Sequence, residues 1–244
     1  VQYTGVKLSD LLRETGLKPK AKWVLAEGSD TSGMTRSIPI EKILDDCLIA
    51  WAMNGEALRP EQGYPARLVV PGWEGNMWVK WIRRLEFGDK PYMTREETSK
   101  YTDLLTDGKA RMFTWVMEAK SVVTSPSPEK PILHKGIQQL RGLAWSGKGK
   151  IKRVDVSLDG GKNWRTAQLH APIMSKSLVR FTLPFEWSGE ELLIQSRAID
   201  ETGYVQPYIQ ELQKIRGKNS IYHNNSIATW LVSTSGKVDN VRLG

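Results

Sequence analysis

The side chains that most often carry catalysis or bind metals are few and scattered in this sequence. The histidines His134, His170 and His223 lie far apart along the chain, and Cys47 is the single cysteine. No HExxH motif, glycine-rich phosphate loop or Ser-His-Asp pattern stands out. Residue types alone therefore predict no histidine or cysteine metal site and no internal disulfide.

Basic and aromatic side chains are abundant and indicate binding surfaces. The chain has 35 Lys and Arg against 27 Asp and Glu, a net charge of +8, and ten tryptophans. This charge fits either a solvated basic surface or an anionic ligand or partner, and the tryptophans indicate large packed surfaces or an aromatic-lined cleft. The basic residues are dispersed, so nucleic acid is not predicted as a partner. No apolar run approaches the roughly 18–20 residues that span a bilayer, so no membrane span is predicted.

Mixed helices and strands are predicted for the first half of the chain, as in an α/β or α+β domain. Apolar spacing predicts an amphipathic helix over residues 6–15 that Gly16 ends. A second helix is predicted over residues 38–44, with Ser37 as its cap and Pro39 in its first turn. Strands are predicted over residues 23–26, 48–53, 67–72 and 79–87, and the alternation in the last turns its basic positions toward a groove or solvent.

Short strands separated by turns are predicted for the second half. The composition changes near Lys120, and a Pro/Ser-rich segment follows over residues 125–131. An Asp-Gly pair at Asp159 predicts a hairpin turn. We therefore predict an immunoglobulin-like β-sandwich, with one domain over residues 1–119 and a second over 120–244. The strands of this β-sandwich are predicted over residues 136–144, 151–157, 164–168, 178–184, 191–200 and 228–232.

Several stretches resemble blocks of the sulfite oxidase family of molybdenum enzymes, in the same order along the chain. Residues 53–55, 63–72 and 79–81 resemble blocks of its molybdopterin domain. Residues 144–147 and 154–164 resemble the opening of its dimerisation domain, and residues 198–200, 203–207 and 216–217 complete the match. The resemblance implies an N-terminally incomplete molybdopterin-binding domain followed by an immunoglobulin-like domain through which the protein forms homodimers.

The resemblance also implies a molybdenum–molybdopterin cofactor and assigns residues to it. Arg67 and Lys80 match two cations that bind the phosphate and the pterin, and a guanidinium suits phosphate because it offers paired donors. Gln62 stands where the family has a pterin-contacting histidine, and its amide can still donate and accept hydrogen bonds. The other matching positions are a pterin contact, Asp30, and two residues that line the same pocket, Trp78 and Val79.

Two further expectations concern the metal and its proton chemistry. Tyr101 matches the family's active-site tyrosine, whose phenol helps to move protons, and Tyr92 is a lesser candidate. The cysteine that ligates molybdenum in the family is expected upstream of Val1, so no metal ligand is assigned within the chain. Cys47 lies in an apolar pattern and is predicted to be a small core residue. These residues alone are therefore expected to bind cofactor poorly and to be inactive.

Within the family, residues 72–78 and 222–225 resemble the SoxC sulfane dehydrogenases. The latter stretch reads Tyr-His-Asn-Asn where sulfite oxidases have Trp-His-Arg, and the lost cation would weaken the binding of free sulfite. The resemblance implies oxidation of sulfane sulfur on a SoxYZ carrier, electron transfer to a SoxD-like c-type cytochrome and a periplasmic location. One hypothesis makes Trp73 and Trp78 an exposed rim for the carrier's arm; the alternative is core packing, which is the commoner location of a tryptophan. The alternatives are a sulfite dehydrogenase acting on free sulfite, a non-catalytic interaction module and a nitrate reductase.

Overall fold

The computed structural model describes residues 1–220 and 222–243, and the chain divides into two compact units, Val1–Trp115 and Val116–Gly244. This division lies between Trp115 and Val116, whereas the sequence analysis places the boundary between residues 119 and 120. Among the described residues, no helix is both long and apolar enough to cross a membrane.

Short helices and strands alternate in the first unit, as expected for an α+β fold. Two turns of 3-10 helix, over Pro60–Gln62 and Gly75–Met77, lie in the long connections between its strands. The strands and helices are β1 (Tyr3–Lys7), α1 (Leu8–Thr15), β2 (Trp23–Gly28), β3 (Thr35–Pro39), α2 (Ile40–Asp45), β4 (Leu48–Met53), β5 (Glu56–Ala57), β6 (Arg67–Val69), β7 (Ile82–Gly88), α3 (Arg95–Ser99), β8 (Thr102–Leu104) and β9 (Ala110–Met112).

Two antiparallel sheets form the framework of this unit. Strand β4 pairs with β1, β5 and β6, while β2 lies between β3 and β7. Val24 and Ala26 on β2 are fully buried, as a central strand requires. Gly28 at the end of β2 pairs with Ile82 at the start of β7. The loop that follows β2 and the loop that precedes β7 therefore meet at the same end of these two paired strands.

The structure corrects two predicted helices of the first unit. The first helix begins at Leu8, because the residues before it pair with β4 as strand β1. The second begins at Ile40, and Ser37 is not its cap but a residue of strand β3. Its backbone N–H donates to Glu97, and its hydroxyl accepts from the N–H of Tyr92. Contacts about 60 residues away in sequence thus override the local capping signal.

The second unit is a sandwich of two antiparallel sheets, ordered β10-β11-β15-β14 and β13-β12-β16-β17-β18. One helix, α4, was not predicted, because only Leu212 and Arg216 of its residues are buried and its apolar period is weak. The elements are β10 (Lys120–Ser125), β11 (Gly136–Trp145), β12 (Ile151–Ser157), β13 (Arg165–Thr166), β14 (Gln168–His170), β15 (Val179–Trp187), β16 (Leu192–Asp200), α4 (Ile209–Arg216), β17 (Thr229–Val232) and β18 (Val238–Val241).

A single hydrophobic core lies between these two sheets. Leu140 and Phe181 come from one sheet, Val156 and Ile194 come from the other, and all four are fully buried. Strand β15 alternates strictly between buried and exposed or half-buried positions, which is the period of a strand with one face in the core. The predicted β-sandwich and the α+β organisation of the chain are confirmed.

Candidate active site

Arg67 begins strand β6 and is anchored by two backbone carbonyls. Its Nη1 donates to the carbonyl of Gln62 at 3.0 Å and its Nη2 to that of Trp78 at 2.9 Å. Its buried Nε has no hydrogen-bond partner in the described part of the chain. Burial lowers the pKa of Arg67, while the nearby Tyr3 acts to raise it. The guanidinium nevertheless stays charged, because an arginine pKa lies far above neutrality.

Lys80 binds the same turn through the neighbouring carbonyl. Its Nζ donates to the carbonyl of Glu61 at 3.0 Å and lies 4.3 Å from the ring centre of Trp81. Glu61 is adjacent to Gln62, whose carbonyl binds Arg67. The structure therefore brings Arg67 and Lys80 together at the 3-10 turn Pro60–Gln62. Two cations at one turn, one with an unused donor, can hold an anion such as a phosphate.

Local backbone conformation sets the direction of Lys80. The sequence analysis predicts a strand over residues 79–87, but Trp81 has a positive φ of 50° and β7 begins only at Ile82. The Trp81 indole donates to the carbonyl of Pro60 at 2.8 Å, and its own carbonyl accepts from Ser29 at 2.9 Å. These bonds hold a conformation that is unfavourable for a bulky residue. Lys80 thereby leaves the strand and points to the turn.

Asp30 lies near Lys80, in the loop that follows β2. One carboxylate oxygen accepts from the backbone N–H of Met34 at 3.0 Å, and the other accepts from the hydroxyl of Ser32. These two bonds lower the pKa of Asp30, and the charge of Lys80 contributes further. A Cβ added to Gly28 would meet the Lys80 carbonyl at 2.7 Å and the Asp30 carboxylate at 3.3 Å. Only a glycine allows this approach.

Gln62, Trp78 and Val79 complete the neighbourhood of Arg67 and Lys80. The Gln62 side-chain oxygen accepts from the backbone N–H of Arg59 at 2.9 Å, so it closes the 3-10 turn. Trp78 is half-buried, and its ring lies 5.7 Å from that of Tyr3. Val79 is buried. The six predicted cofactor residues thus lie at the start of strand β6 and on three loops, those that follow β2, β5 and β6.

The structure corrects the interpretation of Trp73 as part of an exposed rim. Trp73 is only 9% exposed, and its ring stacks on that of Trp115 with centroids 5.0 Å apart and planes 9° from parallel. Its carbonyl accepts the indole N–H of Trp78 at 3.0 Å. Trp73 is therefore a core residue that supports Trp78, because burial against a second aromatic ring stabilises it more than exposure would.

Tyr101 lies in a second cluster, after helix α3. Its ring faces the guanidinium of Arg36, whose Cζ lies 4.1 Å from the ring centroid. Arg36 is fully buried, pairs with Glu97 at 2.7 Å and donates to Asn76. Sequence reasoning missed Arg36, since nothing local marks it. The lesser candidate, Tyr92, binds the hydroxyl of Ser37 through its backbone N–H.

The remaining reactive residues lie elsewhere. Cys47 is 1% exposed and its thiol contacts the Lys42 carbonyl at 3.2 Å, which confirms that it is a core residue. Among the described residues, no group of three or more His, Cys, Asp or Glu side chains is arranged to hold a metal ion.

An ionic cluster in the second unit surrounds Glu118. Its carboxylate lies 3.3 Å from Arg216, 3.2 Å from His223 and 3.5 Å from Lys148. The hydroxyl of Tyr204 donates to it at 3.2 Å. Desolvation acts to raise the pKa of Glu118, but the His223 hydrogen bond and the surrounding positive charges lower it to about 2. The cluster therefore fixes a charged carboxylate beneath the loop that contains His223.

Two family models match this chain. Residues 1–96 match the family model of the oxidoreductase molybdopterin binding domain, and residues 111–230 match the Mo-co oxidoreductase dimerisation domain. The crystal structure of the sulfane dehydrogenase SoxCD from Paracoccus pantotrophus is similar, with 61% identity and a TM-score of 0.95. That match covers 99% of this chain and 62% of the SoxCD chain.

Curated relatives give the same result at lower identity. The mitochondrial sulfite oxidase of Drosophila melanogaster is 31% identical over 88% of this chain, and the sulfite oxidase of Gallus gallus is 32% identical over 84%. The NADH nitrate reductase of Solanum lycopersicum is 32% identical over 84%. The chain spans 43%, 50% and 27% of the lengths of these three relatives. This chain belongs to the sulfite oxidase family of molybdenum oxidoreductases.

Proposed function

We propose that this chain acts in a molybdenum-dependent sulfane dehydrogenase, which oxidises sulfane sulfur bound to a carrier protein. The observation that carries the proposal is the convergence of Arg67 and Lys80 on the turn Pro60–Gln62, with the Nε of Arg67 unused among the described residues. Similarity to SoxCD over nearly the whole chain supports the choice of substrate class.

The residues present fit a phosphorylated pterin. A buried guanidinium donor without an acceptor is unfavourable in the fold alone, and an anionic ligand would supply the acceptor. Arg67 would hold the phosphate through its donors, while Lys80 adds a compact positive charge. Asp30 and the loop after β2 would contact the pterin, since they border the same turn. The cofactor, when bound, supplies two-electron oxidation and oxygen transfer to sulfur, which no side chain can perform.

Tyr101 is proposed as the proton-handling residue. Its ring lies 4.1 Å from the Cζ of the buried Arg36. A phenol in a fixed position can donate a hydrogen bond to a reacting oxygen and pass a proton to or from it. Trp78, half-buried beside Tyr3, would form the wall of the pocket.

The C-terminal loop favours carrier-bound sulfur over free sulfite. Asn224 stands where sulfite oxidases have an arginine, and it is exposed and neutral. A small dianion such as sulfite depends on positive charge for its affinity, whereas sulfur on a carrier protein can draw on a larger interface. Free sulfite remains the second candidate substrate, because the sulfite oxidases of two animals are 31% and 32% identical to this chain.

The partners and the location follow from the same proposal. Electrons would pass to a SoxD-like c-type cytochrome, the sulfur would arrive on a SoxYZ carrier, and the enzyme would act in the periplasm. Homodimers would form through the second unit, and the match to a Mo-co dimerisation domain supports this.

Cofactor content tests the cation pair in the full-length protein. Replacing Arg67 with Met removes its charge-assisted bonds, and one such bond is worth roughly 1.5–3 kcal/mol, or about 10- to 150-fold in affinity. We expect the purified variant to lose most of its molybdenum and its pterin fluorescence. The control is Arg13→Met, since Arg13 is 75% exposed on helix α1. Wild-type protein without molybdenum would instead indicate an interaction module.

Steady-state kinetics test the substrate. Cytochrome c reduction is measured with free sulfite and with thiosulfate-loaded SoxYZ carrier, at matched concentrations. The proposal expects kcat/KM to be much higher for the loaded carrier. Equal or faster turnover of sulfite would replace the sulfane dehydrogenase assignment with sulfite dehydrogenase.

A further inference from the structure

Arg36 is a fully buried arginine for which the mechanism above gives no role beyond contact with Tyr101. It lies on strand β3, where its backbone pairs with Ala26 of the central strand β2. Its side chain is 0% exposed, as is that of its partner Glu97. A buried ion pair is an unfavourable way to fill a core, because apolar residues of similar size do so without a desolvation cost. This location therefore calls for a further explanation.

The guanidinium of Arg36 is held on two sides. Its Nε donates to Glu97 Oε1 at 2.7 Å, and its Nη1 donates to the side chain of Asn76. Glu97 is fixed in turn by the backbone N–H of Ser37 at 3.1 Å and by the hydroxyl of Thr94. Glu97, which orients Arg36, is thus oriented itself, and this restricts rotation of the guanidinium plane.

The Tyr101 backbone is fixed independently of Arg36. Its N–H donates to the carbonyl of Glu96 at 3.2 Å, and its carbonyl accepts from the N–H of Thr114 at 2.8 Å. Since the main chain is set by these bonds, the torsions of the side chain decide where the hydroxyl points. The Arg36 guanidinium, 4.1 Å from the ring centroid, restricts those torsions. A cation over a phenol ring is attractive, especially when it is desolvated.

One donor of Arg36 is not used by the fold. Its Nη2 is buried and has no hydrogen-bond partner in the part of the chain that the structure describes. A buried donor without an acceptor opposes folding, so packing alone does not account for an arginine here. Its guanidinium lies over the ring of Tyr101, and an apolar side chain could not reproduce this cation–π contact.

We propose that Arg36 is a positioning residue that acts through Tyr101, by fixing the phenol ring so that its hydroxyl is presented to the reacting group. The inference rests on the proposed function, since it assumes that Tyr101 handles a proton. Glu97 and Asn76 hold Arg36, Arg36 holds the ring, and the ring directs the hydroxyl. The role is specific to the guanidinium, because a lysine ammonium lacks the planar fork of donors that holds Glu97 and Asn76 while lying over the ring.

A double-mutant cycle in the full-length enzyme tests this role. The variants are Arg36→Lys, Tyr101→Phe and the double substitution, assayed with thiosulfate-loaded SoxYZ carrier and with sulfite. Misplacement of a reacting group by a fraction of an ångström lowers kcat by about tenfold or more. We expect that loss for Arg36→Lys in the wild-type background and less than about twofold when Tyr101 is already Phe. Arg13→Lys is the matched exposed control and should leave kcat unchanged.

A spectroscopic readout that does not depend on turnover accompanies the kinetics. In protein labelled with 3-fluorotyrosine, the Tyr101 signal is the fluorine resonance that disappears in Tyr101→Phe. We expect Arg36→Lys to shift that resonance and Arg13→Lys to leave it in place. Asn76→Ala provides a second variant if Arg36→Lys fails to fold, because it releases Nη1 without altering the buried pair. It should give a smaller shift and a smaller loss of kcat.

Two results would overturn the proposal and can be told apart. If Tyr101→Phe is slow but Arg36→Lys lowers kcat equally in both backgrounds, Arg36 does not act through Tyr101, and the proposed function stands. If Tyr101→Phe turns over like wild type, the proton role of Tyr101 fails and the positioning role fails with it.

Discussion

Gly63 is the residue through which the turn that binds Arg67 and Lys80 can be perturbed with the least change in chemistry. It follows the 3-10 turn Pro60–Gln62 in a left-handed conformation, with φ 106° and ψ 26°. A Cβ placed on Gly63 would lie 2.9 Å from the Cβ of Lys80 and 3.1 Å from its Cα. The substitution Gly63→Ala therefore strains the backbone and presses directly on Lys80.

Two costs add in this variant. A left-handed conformation costs an alanine about 1–2 kcal/mol. Crowding against the Cα and Cβ of Lys80 adds roughly 1–3 kcal/mol, because the main chain must shift to relieve it. The expected loss in the free energy of unfolding is therefore roughly 2–5 kcal/mol. The shift should also separate Lys80 from its ligand, so pterin content should fall with stability.

Gly55→Ala separates the two costs. Gly55 also has a positive φ, 84°, but a Cβ there would meet nothing within 4 Å. The control should lose only the backbone term, about 1–2 kcal/mol, and retain its pterin. The assays are urea denaturation and pterin fluorescence of the full-length protein. If Gly63→Ala and Gly55→Ala lose the same stability and retain the same pterin fluorescence, the close approach of the turn to Lys80 contributes nothing to stability or to cofactor binding.

Two further predictions concern the cores of the two units. Because the pKa of Glu118 falls from 4.5 in the unfolded chain to about 2 in the fold, its contribution of roughly 3 kcal/mol is present above about pH 4.5 and is lost as the pH falls toward 2. The urea midpoint of the wild-type protein should fall as the pH is lowered through this range, and that of Glu118→Gln should change less. If the two proteins show the same dependence of midpoint on pH, the ionic cluster does not stabilise the charged form of Glu118. Trp73→Ala should destabilise the first unit by about 3–5 kcal/mol, because it removes a buried ring stacked on Trp115. The control is Trp51→Ala, at a position 48% exposed, which should lower the stability far less. Calorimetry measures the Tm of each variant, and an equal loss of Tm in Trp73→Ala and Trp51→Ala would refute the stacked-core interpretation.

Several features of the fold could be predicted because their signals are local. The alternation in β15 places every second side chain in the core, and the strand pattern of the second unit follows the same rule. Cys47 is buried, as its apolar surroundings predict. Gly16 ends helix α1, because a positive φ of 78° there suits a glycine. Each of these depends on a few consecutive residues.

Other features depended on contacts that no local window contains. Ser37 carries a capping signal, yet it lies in a strand because Glu97 and Tyr92 bind it from the distant α3 region. Trp73 resembles a surface aromatic in a glycine-rich loop but stacks on Trp115 in the core. Arg36 gave no signal, since its partners come from two other segments of the chain.

The sequence by itself determined the division into an α+β unit and a β-sandwich, the family, and the residue types available for a cofactor. These follow from periodicity and from blocks of adjacent residues, which need no knowledge of the fold. The tertiary structure alone decided that Arg67 and Lys80 bind one turn, and that Arg36 lies on the ring of Tyr101. The reason is that the partners of a buried charge are set by which distant segments pack around it, and burial makes those partners obligatory.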